Sequence, residues 1–89
     1  PHIGWNSITK WGDKIKECPL LLGVPDNTYV YFDHSYYVDP VNKDVIATET
    51  TYGVDFASMI WKDNIYATQF HPEKSQKLGL KILENFVRL

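Results

Sequence analysis

The residues with the clearest chemical potential are His71 and Glu73, two positions apart in Gln69-Phe70-His71-Pro72-Glu73-Lys74-Ser75. Pro72 holds His71 extended, because an α conformation before proline brings its backbone against the ring. In extended chain, residues two apart face the same way, so imidazole and carboxylate project toward one place. A carboxylate that accepts the imidazole N–H selects one tautomer and stabilises imidazolium, as a general base requires. The same residues also fit a packed turn histidine followed by a first-turn helix acid, and spacing does not separate the two readings.

A nucleophile to go with this pair is harder to find. The single cysteine lies in Lys16-Glu17-Cys18-Pro19-Leu20, with no flanking glycine. Pro19 removes the backbone N–H that could hold an oxyanion after it. Cys18 therefore reads as a buried structural residue and not as an attacking thiolate. His2, His34 and His71 make no pair with the close spacing of a helical zinc motif, so no metal and no cofactor is expected.

The histidine stands where the chain changes period. Residues 1–28 read as irregular, broken by Gly4, Gly12, Pro19, Gly23 and Pro25, with a short strand and a one-turn helix expected between Ile8 and Cys18. Residues 29–38 are rich in aromatic and β-branched types and predict a strand. A turn over 39–44 leads to a return strand over 45–51, ended at Tyr52-Gly53. Residues 56–61 and 65–70 predict two more strands, joined by the short polar connection Lys62-Asp63-Asn64. From Ser75 onward, Leu78, Ile82, Phe86 and Leu89 share one helical face, which Leu80, Leu83 and Val87 widen. Ser75 is the expected N-cap, and Lys81 and Arg88 suit the C-terminal half of the helix dipole. His71 thus falls between the last strand and the helix, where open α/β sheets bind ligands.

Composition narrows the class. The 89 residues carry nine basic and eleven acidic side chains, a net charge of −2 that favours neither a nucleic-acid partner nor an acidic membrane. Hydrophobic content of 44% suits a folded domain rather than a disordered one. One cysteine excludes an internal disulfide framework and agrees with a cytoplasmic location. No apolar run approaches a membrane span. The start at Pro1, without initiator Met or secretory pattern, suggests a processed or truncated piece.

The block from Gln69 to Ser75, followed by a Gly-Leu helix ending Leu83-Glu84-Asn85-Phe86, closely resembles the C-terminal signature of class I glutamine amidotransferases. Pro1-His2-Ile3-Gly4-Trp5-Asn6 and Tyr31-Phe32-Asp33-His34-Ser35-Tyr36-Tyr37 are similar to the glutaminase subunits of imidazole glycerol phosphate synthases, enzymes of histidine biosynthesis. The three blocks keep the family's order, and the resemblance extends over essentially the whole chain. It implies a Cys-His-Glu triad in which a thiolate attacks the side-chain amide of L-glutamine and releases ammonia. His71 would be the general base and Glu73 its orienting acid. Ser35 and Tyr36 match the segment whose backbone holds the glutamine. Ile3, Trp5, Tyr31 and Lys74 match positions that face a cyclase (β/α)8-barrel subunit, the partner that receives the ammonia.

The family's nucleophile sits upstream in a Gly-x-Cys-x-Gly elbow, and neither that elbow nor its glycine-rich oxyanion strand occurs here. The expected fold is therefore α/β, a C-terminal fragment of the doubly wound amidotransferase fold. Residues 1–89 would form one partial domain, with a mixed or mostly antiparallel sheet of several strands capped by the C-terminal helix. Such a piece is expected to be inactive alone and to self-associate through the surfaces its missing half would cover. Two alternatives stand beside this reading. One is a class I amidotransferase serving anthranilate, aminodeoxychorismate, guanylate or carbamoyl phosphate synthesis; the other is a non-catalytic interaction module.

Overall fold

A computed structural model describes residues 1–12 and 18–89. Five strands form one sheet: β1 (His2–Lys10), β2 (Thr28–His34), β3 (Ile46–Tyr52), β4 (Val54–Lys62) and β5 (Ile65–Thr68). Their spatial order is β2-β1-β3-β4-β5, and every pairing is antiparallel. A helix, α1 (Gln76–Val87), closes the chain. This is the α/β fold expected, several strands followed by a C-terminal helix, with the sheet antiparallel throughout.

The largest departure is β1, which occupies a stretch expected to be irregular. Its alternation is inverted relative to the usual signal: His2 is buried and Gly4 and Asn6 half-buried, while Ile3 and Trp5 are exposed. A hydrophobic period of two cannot be seen when polar residues take the inner face. Gly4 adopts φ +126°, a backbone conformation that L side chains rarely take. The one-turn helix expected between Ile8 and Cys18 falls largely on residues 13–17, outside the described residues. A 3-10 turn, Pro19–Leu21, follows Cys18.

β1 also changes the topology. β2 ends at His34, short of the 29–38 strand expected, and only Val38 makes a further isolated bridge, to Ala57. β3 does not return along β2, because β1 lies between them. The backbone ladder between β1 and β3 covers only Thr9↔Glu49 and Lys10↔Thr48. Side chains extend it: Asn6 Nδ2 donates to the Thr51 carbonyl at 2.8 Å, and Thr50 Oγ1 donates to the Ser7 carbonyl at 2.9 Å. β4 and β5 form the hairpin anticipated, with a two-residue loop in which Asp63 takes φ 54°.

The core gathers Ile8, Val24, Val30, Phe32, Met59, Phe70 and Ile82 around the sheet. In α1 the buried positions are Gly79, Ile82 and Asn85, so the helix packs on a narrower, partly polar face than its leucines suggest. Of the face expected from spacing, Ile82 is buried and Leu78 half-buried, but Phe86 and Leu89 are exposed. Asn85 explains the rotation. Its Nδ2 donates to the carbonyls of Leu20 and Leu22, at 2.9 and 2.8 Å, tying the helix to the 3-10 turn. Lys81 and Arg88 both approach Glu84, at 3.7 and 3.1 Å.

Candidate active site

β2 is an edge strand, so alternate backbone groups along it point away from β1 and need other partners. Tyr31 is such a residue. Its carbonyl accepts from the His71 N–H at 2.9 Å, and its N–H donates to Ser75 Oγ at 2.9 Å. Ser75 Oγ in turn donates to the His71 carbonyl at 2.6 Å. The serine at the N-cap position therefore makes no capping bond to α1. Its hydroxyl clasps the His-Pro-Glu turn to the sheet edge instead, which corrects the capping expectation. Gly79 lies beneath this clasp: a Cβ there would overlap the Pro72 carbonyl oxygen and meet Ser75 Cβ at 2.6 Å.

Held this way, His71 has φ −103° and ψ 97°, the extended conformation that Pro72 demands. Its Nδ1 lies 3.0 Å from Glu73 Oε2, and both side chains are partly open to solvent. The Glu73 carboxyl is held below the usual range, first by its own backbone N–H and then by the His71 hydrogen bond. An ionised acceptor at Nδ1 places the imidazole proton there and leaves Nε2 with its lone pair outward. That is the arrangement of a general base with an orienting acid.

Cys18 is not part of it. It is 3% exposed, and burial pushes its thiol up, opposite to the shift that makes a thiolate nucleophile.

Ile3, Trp5, Tyr31 and Lys74 gather on the outer face of the β1–β2 pair. Trp5 and Tyr31 are cross-strand partners whose rings meet edge to face at 6.0 Å, and Lys74 Nζ lies 5.9 Å from the Tyr31 ring centroid. Trp5 is 46% exposed, so this cluster is not core. Ser35 and Tyr36 are exposed just beyond β2. Ser35 lines a cavity of about 130 Å³ with His2, His34, Tyr37, Tyr52 and Phe56, which does not include His71 or Glu73.

That cavity holds an arrangement the sequence did not announce. His2 pairs with His34 across β1 and β2, and His2 Nδ1 lies 3.0 Å from His34 Nε2. The His2 ring is stacked between Phe32 and Tyr52, with centroids at 4.5 and 4.0 Å. Burial, the adjoining His34 and the amino group of Pro1 push His2 below the usual histidine range. Thirty-two residues separate the two histidines, so only the strand register could have signalled them. No third His, Cys, Asp or Glu joins them in a metal-binding group among the described residues. No helix is long and apolar enough to cross a membrane among those residues.

The family model for glutamine amidotransferase class-I matches residues 1–89, and the chain belongs to that family. Over all 89 residues it is 56% identical to the imidazole glycerol phosphate synthase subunit HisH of Methanocaldococcus jannaschii, spanning 43% of that protein. Over 87 residues it is 55% identical to the subunit of the same name from Geobacter sulfurreducens, where 97% of this chain covers 39% of the relative. The subunit HisH 1 of Methanococcus maripaludis is 52% identical over 89 residues, of which the chain spans 42%. The chain thus spans about two fifths of the length of these curated relatives.

Proposed function

We propose that these 89 residues are the base-and-acid portion of a cytoplasmic glutaminase, the subunit of an imidazole glycerol phosphate synthase that hydrolyses L-glutamine. The observation that carries this reading is the 3.0 Å His71–Glu73 pair, held by Tyr31 and Ser75 in a chain similar throughout to HisH subunits. The nucleophilic thiol would come from outside these residues. His71 Nε2 takes the thiol proton, and the thiolate attacks the glutamine side-chain carbonyl carbon. The imidazolium then gives its proton to the amide nitrogen, the C–N bond breaks and ammonia leaves, with a glutamyl thioester remaining. Water, deprotonated by His71, hydrolyses the thioester to glutamate and regenerates the thiol. Glu73 stabilises the imidazolium in both halves of the cycle.

Ser35 and Tyr36 would hold the glutamine through their backbone. The cluster of Ile3, Trp5, Tyr31 and Lys74 on the outer face of the β1–β2 pair would meet the cyclase (β/α)8-barrel subunit that consumes the ammonia. A buried Cys18 supports the corollary that the 89-residue chain, forming one partial domain, hydrolyses no glutamine alone.

The test is His71→Ala in the intact protein together with its synthase partner. Glutamine-dependent turnover should fall on the order of 10²- to 10⁴-fold, the usual worth of a general base, while ammonia-dependent turnover persists. Unchanged glutamine-dependent turnover would replace this reading with that of a non-catalytic interaction module. Failure to capture an imidazole glycerol phosphate cyclase, with glutaminase activity intact, would point to another synthase of the family.

A further inference from the structure

The two histidines of β1 and β2 are joined into a chain whose ends are both fixed. At one end His34 Nδ1 lies 2.8 Å from the Tyr36 carbonyl oxygen, which can only accept, so Nδ1 carries the proton. His34 Nε2 is then the acceptor for His2 Nδ1–H across 3.0 Å. At the other end, Asn6 Oδ1 accepts the Ser7 N–H at 2.8 Å and Asn6 Nδ2 donates to the Thr51 carbonyl at 2.8 Å, which fixes the amide. The same Nδ2 faces His2 Nε2 at a longer 3.4 Å, again as donor toward acceptor. Every link runs in one direction, from Asn6 through His2 and His34 to Tyr36.

Such a chain has room for two ring protons and no more. Protonating His2 sets its Nε2–H against the Asn6 amide hydrogens. Protonating His34 forces His2 into its other tautomer, with the same collision. Among the described residues, the titratable groups facing the pair are the Pro1 amino group, Tyr37 and Tyr52, and no carboxylate among them lines the adjoining cavity to hold an imidazolium. Phe32 and Tyr52 clamp the His2 ring plane from both sides, so the relay cannot relax by rotation.

We propose that His2 and His34 are positioning residues, a neutral one-way relay that fixes the Tyr36 carbonyl and thereby sets the Ser35-Tyr36 backbone to receive the glutamine substrate. The substrate role rests on the glutaminase reading; the relay itself does not. His71 and Glu73 take no part in it.

Two measurements on the intact protein decide it. Imidazole ¹⁵N spectra at neutral pH should show His2 and His34 both protonated at Nδ1; the Nε2–H form at either ring overturns the relay, whatever the enzyme does. In glutamine hydrolysis, His34→Phe should raise KM for glutamine about three- to tenfold, the usual worth of one hydrogen bond, with kcat changed less than about twofold. His34→Asn, whose amide can donate from the Nδ1 position, should restore KM to about the unsubstituted value. Equal KM in His34→Phe and the unsubstituted protein, or no recovery in His34→Asn, overturns the positioning role. Absence of any glutamine turnover in the unsubstituted protein would sink the glutaminase reading and the substrate role with it, while the spectra would still decide the relay.

Discussion

At His71 the tautomer is set by Glu73, and at His2 by His34 and Asn6, so the two rings have different kinds of neighbour. Glu73 is held below the usual carboxylate range and faces solvent beside the His71 ring. Glu73→Gln should lower glutamine turnover in the intact protein, by less than His71→Ala does, because it removes the imidazolium's partner but leaves the base. Among the described residues His2 meets no carboxylate, and burial and the adjoining His34 lower its proton affinity in the fold. A depressed histidine binds fewer protons folded than unfolded, so its contribution is complete above about pH 6.5, the ordinary unfolded value, and is lost as pH falls through the folded value. Urea midpoints between pH 7.5 and 5 should therefore drop more steeply for the unsubstituted chain than for His2→Gln. Parallel curves would show that His2 is not a source of acid lability.

Among the elements, the approach of α1 to the His-Pro-Glu turn depends on one missing side chain. A Cβ on residue 79 would overlap backbone at Pro72 and the Ser75 side chain, neither of which can swing away. Gly79→Ala should destabilise by about 1–3 kcal/mol or more, despite alanine's better helix propensity, and should loosen the turn that holds His71. Thermal melting checks the first effect. Asn85→Ala strips the donors from two carbonyls at the 3-10 turn and should cost about 1–3 kcal/mol. If both variants melt like the unsubstituted chain, the helix is not anchored where Asn85 and Gly79 put it.

For the molecule as a whole, the unpaired surfaces are as informative as the core. Leu80, Phe86 and Val87 are exposed along α1 and Leu89 just beyond it, and Phe86 remains 55% accessible. A chain with this much apolar surface should associate with itself in isolation. Light scattering of the 89-residue chain should give a mass above the monomer, reduced by Phe86→Ser; a monomer at high concentration would contradict it. The second surface, around Trp5, is smaller and mixed, an aromatic pair with a lysine over it. Such anchors often dominate an interface, so Trp5→Ala in the intact protein should weaken binding of the synthase partner by about 2 kcal/mol, roughly thirtyfold. Unchanged affinity would move the interface elsewhere.

What the sequence determined by itself is local. Pro72 dictates the extended His71, spacing brings Glu73 to its side, and the change of period after Ser75 marks the helix, because each is decided within a few residues. The β4–β5 hairpin is legible for the same reason. What only the tertiary structure decided is long-range. β1 was hidden because polar His2 and Asn6 take its inner face, and that inversion makes sense only once His34 and Thr51 are placed opposite them. The helix turned its Asn85 inward because two loop carbonyls far along the chain needed a donor. Ser75 left its capping role because an edge strand offered an unpaired N–H. In each case a buried hydrogen-bonding group outranked hydrophobic periodicity, and its partner lay too far away in sequence for any local pattern to show it.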